Sequence, residues 1–124
     1  MPQYFSLEQA NAALEHLRPL VRSLMERYHL LLERQAGALR GLQSSRGNGG
    51  NQDASQAALL LGQIEALVSQ IQSMGVLVKD LESGLLDFPA WRDGREVYLC
   101  WQYGEEAVVY WHEIDAGFAG RKPI

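Results

Sequence analysis

"GLLDFPAWRDGREVYLCW" (residues 84–101) decides how the second half of this 124-residue chain folds. At its centre stands Asp93-Gly94, a dipeptide that tolerates the positive φ angles of a two-residue hairpin turn. The flanking runs "GLLDFPAW" and "EVYLCW" read as two antiparallel strands. A two-residue turn also sets their register and places Asp87 opposite Cys100. An Asp between Leu86 and Phe88, facing a thiol, is a carboxylate entering the interior, where it needs a donor or a proton. Pro89 cannot donate to a ladder, so its strand should lie at a sheet edge or end there.

Towards the C-terminus, "YGEE" (103–106) turns the chain, with Gly104 suited to the first position of a type II′ turn, and "AVVYWHE" (107–113) returns as a strand. Ahead of the opening stretch, "VLV" (76–78) is a further candidate. The expectation is a meander of three to four antiparallel strands over 76–113, followed by an irregular Gly-rich tail over 114–124. All three Trp lie in this half, where a small sheet needs large aromatics to build a core.

Before residue 75 the period changes. Leu7, Ala10, Leu14, Leu17, Val21, Leu24, Tyr28, Leu31, Gln35, Ala38 and Leu42 alternate steps of three and four, the stripe of a heptad helix. Ser6 with Gln9 forms a capping-box pattern at its start. Pro19 removes one backbone donor and predicts a kink in helix one, placed at 6–42. "GLQSSRGNGGNQDAS" follows and predicts a flexible loop over 43–53; it lacks the GxxxxGK[ST] frame of a phosphate-binding loop. Helix two, at 54–74, carries Ala57, Leu60, Ile64, Leu67, Ile71 and Met74, with Gly75 closing it.

Two such helices joined by one loop fold back as an antiparallel, coiled-coil-like hairpin. Met25, Leu32 and Leu39 recur on one flank of helix one, and Leu61 and Val68 on one flank of helix two. A Leu left wet forfeits about 1.5–3 kcal/mol, so these flanks call for another layer: the sheet, a second protomer, or both. The fold class is therefore α+β, a single domain spanning 1–124.

Composition narrows the function. Residues 1–74 hold six basic and six acidic side chains, and residues 75–124 hold five and nine, which gives the net charge of −4. An acidic second half repels a phosphate backbone, so nucleic acid is not an expected partner. The neutral polar faces of the hairpin argue against a membrane-surface helix, and no apolar run approaches the roughly 20 residues of a membrane span. A lone cysteine, Cys100, and a start without a signal-peptide pattern fit a reducing cytoplasm.

Two stretches, "YFSLEQANAALEHLRPLV" and "GVLVKDLESGLLDFPAWRDGREVYLCWQYGEEAVVYWHEIDAGFAGRKPI", carry a resemblance. With the string KD, GLxDFP, VYLCW, GE, WHE and GFxGR, the chain resembles the uncharacterised bacterial family known as domain of unknown function twenty-two-oh-three. The resemblance implies a small cytoplasmic bacterial protein. It supplies no catalytic residues.

The candidate reactive groups are Asp80, Asp87, Cys100, His112, Glu113 and Asp115. A Cys100–His112 nucleophilic dyad fails on register. A two-residue turn at Gly104-Glu105 puts the two residues on opposite faces. A three-residue turn pairs His112 with Glu96, roughly 13 Å along the strand from Cys100. Asp87, His112, Glu113 and Asp115 offer nitrogen and oxygen ligands and form the candidate ligand or metal site. Both "CxxC" and "HExxH" spacings are absent, and no cofactor is evident. The opposing reading gives His112 a hydrogen bond within the sheet and leaves the acids solvated or paired with Arg92, Arg95 or Arg121. His16 and His29 fall at outer heptad positions and face solvent.

These observations point to an interaction or structural module that self-associates, or binds another protein, through its hairpin. The alternative is a ligand- or metal-binding protein, or an enzyme, with its site at the end of the last strand.

Overall fold

The computed structural model describes residues 3–44 and 48–124. Helix α1 runs Leu7–Ser44 and α2 Asn48–Ser73, followed by strands β1 Leu77–Asp80, β2 Leu85–Arg92, β3 Arg95–Gln102, β4 Tyr110–Glu113 and β5 Lys122–Pro123. A short 3-10 helix, Phe118–Gly120, precedes β5. The class is α+β, with all strands antiparallel in the order β1-β2-β3-β4-β5.

The capping box forms: the Ser6 N–H donates to Gln9 Oε1 at 2.9 Å, and the Gln9 N–H to Ser6 Oγ at 3.1 Å. Helix α1 continues through Pro19 without interruption. Its buried positions, Ala10, Leu14, Leu17, Val21, Leu24 and Leu31, meet Ile64 and Ile71 of α2. Helix α2 starts earlier than its apolar stripe suggests. Residues 48–53 of the expected loop are helical, and 45–47 lie outside the described residues. Two contacts across the hairpin hold Asp53 at the end of this stretch. Asp53 Oδ1 accepts from Arg34 at 3.2 Å, and the same carboxylate lies where a Cβ on Gly37 would stand. Gly75, at φ 88°, ends the helix in the left-handed region.

In the sheet, Asp93 (φ 52°) and Gly94 (φ 76°) both take positive φ, as a type I′ turn requires. The register follows as expected, with Asp87 opposite Cys100. One face carries Leu86, Phe88, Ala90, Val97, Leu99 and Trp101, all buried with the α1 stripe in one core. Phe5 meets Phe88 edge-on at 5.3 Å. The sheet thus packs on the hairpin of its own chain.

Pro89 occupies β2 where that strand has run past β1, which pairs only with Leu85 to Asp87. Its carbonyl accepts from the Phe5 N–H at 2.7 Å. In an antiparallel ladder the N–H and C=O of one residue point to the same side. The missing Pro89 donor therefore also faces Phe5, and the β2–β3 ladder loses nothing.

Two expectations need correction. The sheet has five strands, not three to four. Part of the tail read as irregular pairs as β5, and Ile124 N–H donates to the Val109 carbonyl at 2.9 Å. The last hairpin is also looser than a tight turn: β4 begins at Tyr110, and Tyr98 faces His112. The cause lies on α1. Asn11 Oδ1 accepts from the Val108 N–H at 2.7 Å, and Val108 is buried, so this segment leaves the ladder to bind the helix.

Candidate functional site

The outer face of the sheet carries the residues with chemistry. Asp87 on β2, Cys100 on β3 and His112 on β4 come from three adjacent strands. Asp87 and Cys100 are directly paired, and His112 lies diagonal to Cys100 on the same face. All three are buried, with relative exposures of 2%, 0% and 2%.

This arrangement corrects the geometric exclusion of Cys100 from His112. Both registers considered from sequence assumed a tight turn after β3, and the Asn11–Val108 contact lengthens that connection. One ligand atom from each of Asp87, Cys100 and His112 lies within 4.8 Å of the other two.

His112 is bonded at both ring nitrogens. Nδ1 lies 2.7 Å from the Glu113 carbonyl oxygen, and Nε2 lies 3.0 Å from Asp87 Oδ1. A carbonyl oxygen only accepts, so Nδ1 carries a hydrogen. Nε2 and the Asp87 carboxyl then share one proton, and the pair is neutral as a unit whichever atom holds it. Burial pushes the Cys100 thiol up to about 12, and the neighbouring Asp87 carboxylate adds to the rise as charge and as hydrogen-bond acceptor. A thiol held there is protonated at neutral pH and is not a nucleophile.

The other two expected site residues do not join the cluster. Glu113 belongs to the opposite face, where its carboxylate accepts from Arg95 Nε at 2.8 Å and Nη2 at 2.6 Å. That pairing holds Glu113 below the usual carboxylate range. Asp115 is exposed in the turn after β4. Asp80 accepts from the Ser83 N–H and hydroxyl, closing the β1–β2 turn. His16 and His29 are exposed, as their heptad positions required.

Arg121, one of the arginines expected to pair with an acid, does so with Glu105, which was not among the candidates. Its guanidinium stacks 4.0 Å from the centre of the Tyr110 ring, and its Nη2 donates to both Glu105 oxygens at 2.8 and 2.7 Å.

A second feature is an apolar strip on the hairpin. Met25 and Val68 are partly buried against the core, and Met25 reaches Gly84 at the start of β2. At the same heptad positions, Leu32 and Leu39 on α1 and Leu61 on α2 are 45%, 57% and 46% exposed. Among the described residues, no helix is long and apolar enough to cross a membrane.

Together these features define a two-helix, five-strand protein with a polar triad buried in its sheet. The model of the family described as "Uncharacterized conserved protein (DUF2203)" matches residues 3–124, and the chain belongs to that family. Searches of curated proteins and of solved structures each find no match.

Proposed function

We propose that the protein is a self-associating interaction module that pairs with a second copy through the far half of its hairpin. One observation carries this reading: the heptad flanks that are partly buried at Met25 on α1 and Val68 on α2 also carry exposed leucines, Leu32 and Leu39 on α1 and Leu61 on α2. Exposed leucines at such positions have the composition of an interface. Charge favours a second copy over a strongly charged partner. The hairpin half of the sequence carries six basic and six acidic residues, so two copies meet without net repulsion.

Light scattering coupled to size-exclusion chromatography across the micromolar range tests the proposal. The expected result is a dimer that the double variant Leu32→Lys, Leu61→Lys converts to monomer with unchanged circular dichroism. A wild-type protein that is monomeric throughout overturns it.

The buried contact between Asp87 and His112 favours a second reading, a ligand-binding role for the sheet face. The two roles use different surfaces and are compatible.

A further inference from the structure

We propose that Asp87, Cys100 and His112 form a binding site for a single divalent transition-metal ion of the zinc class. The site is independent of the hairpin surface and rests on the geometry of three strands.

The donor set suits such an ion. It offers one carboxylate oxygen, one sulfur and one imidazole nitrogen, and zinc accepts all three types. Zinc bond lengths of about 2.0–2.1 Å to nitrogen and oxygen and about 2.3 Å to sulfur, at tetrahedral angles, separate oxygen from nitrogen by about 3.3 Å and sulfur from nitrogen by about 3.6 Å. Asp87 Oδ1 and His112 Nε2 already stand 3.0 Å apart, and all three ligand atoms lie within 4.8 Å of one another. The remaining approach of the sulfur to the nitrogen is at most about 1.2 Å.

The outer contacts fit as well. A metal-bound histidine commonly donates its other ring N–H to a carbonyl or carboxylate, which orients the ring and raises its basicity. His112 does this with the Glu113 carbonyl, leaving Nε2 as the metal-facing atom. Each ligand stands on a different strand of one ladder, so backbone pairing, not loop conformation, sets the spacing.

The charge also balances. Without metal, the Asp87–His112 pair with its shared proton and the protonated Cys100 thiol together carry none. A divalent cation displaces two protons to solvent, one from that pair and one from the thiol. The carboxylate and thiolate then neutralise the ion. The site is neutral in both states, so neither leaves an uncompensated charge in the interior. Three protein ligands leave the fourth zinc position to a neutral water.

The test uses cobalt(II). The full-length protein is expressed in cobalt-supplemented medium, so that the ion is present as the chain folds, and purified without chelator. The expected result is one cobalt per chain, with visible bands of a tetrahedral ion and a near-ultraviolet thiolate-to-cobalt charge-transfer band. Cys100 is the chain's sole cysteine, so that band in the wild type assigns the ligand without any variant. Cys100→Ser removes the band, and His112→Gln lowers metal affinity at least tenfold, measured by chelator competition. Cobalt well below one equivalent, or bound without the charge-transfer band, overturns the proposal. Should either variant fail to fold, the wild-type spectrum alone decides.

Discussion

Asn11 on α1 and Val108 before β4, 97 residues apart, are joined through both ends of one amide: Oδ1 accepts from the Val108 N–H at 2.7 Å and Nδ2 donates to the Val108 carbonyl at 3.4 Å. This clasp ties the sheet to the helix and sets where β4 begins. Asn11→Leu leaves both backbone groups of a buried residue without partners. The expected loss is about 1–3 kcal/mol in urea denaturation, against a few tenths for a substitution at exposed Ala12.

Two glycines with similar backbones should respond differently to alanine. Gly84 (φ +67°) sits against Met25, Tyr103 and Val21, where a Cβ would come within 3 Å of all three, whereas a Cβ at Gly94 (φ +76°) meets nothing within 4 Å. Gly94→Ala should cost about 1–2 kcal/mol from left-handed backbone strain alone. Gly84→Ala adds the cost of overpacking, about 1–3 kcal/mol more. Thermal unfolding of the two variants side by side checks the order.

Cys100 should resist a disulfide reagent such as dithionitrobenzoate at neutral pH in native protein and react fully after unfolding. Its thiol stands at about 12 in the fold, above the roughly 8.5 of a free cysteine. The folded state therefore holds the proton where the unfolded chain releases it. Stability falls as pH rises through the interval between those two values. In metal-free protein, Cys100→Ala should flatten that alkaline slope in denaturation curves.

Asp80 shows the opposite sign. The Ser83 hydroxyl, more than the Ser83 N–H, holds its carboxyl below the usual range. A depressed carboxyl contributes stability above its unfolded value and loses it as pH falls through the folded one. Ser83→Ala should move Asp80 back up, read from its carboxyl carbon shift in an NMR titration.

Local chemistry made part of this structure legible. The Asp93-Gly94 turn has a fixed length, so the Asp87–Cys100 pair followed from counting residues. The heptad stripe and the Ser6–Gln9 box located α1, because helical spacing and capping act over a few residues. His112 could not be registered in the same way. Its partner in β3 depends on how many residues 103–109 spend away from the ladder, and Asn11 decides that from the other end of the chain. The helical placement of Asp53 likewise comes with contacts to Arg34 and Gly37 that carry no local signal. Once a long-range contact moved the register, the four candidate residues separated: Asp87 and His112 meet on one face beside Cys100, Glu113 pairs with Arg95 on the other, and Asp115 stays exposed.

The bond from Phe5 to Pro89 and the two-residue strand β5 act at opposite margins of the sheet. An open strand edge is a template on which another chain can polymerise. Where β2 runs past β1, its open side offers a proline and a carbonyl already taken. The opposite margin ends in a strand only two residues long, with Pro123 supplying no donor. Strand addition by another chain is discouraged along both of these stretches.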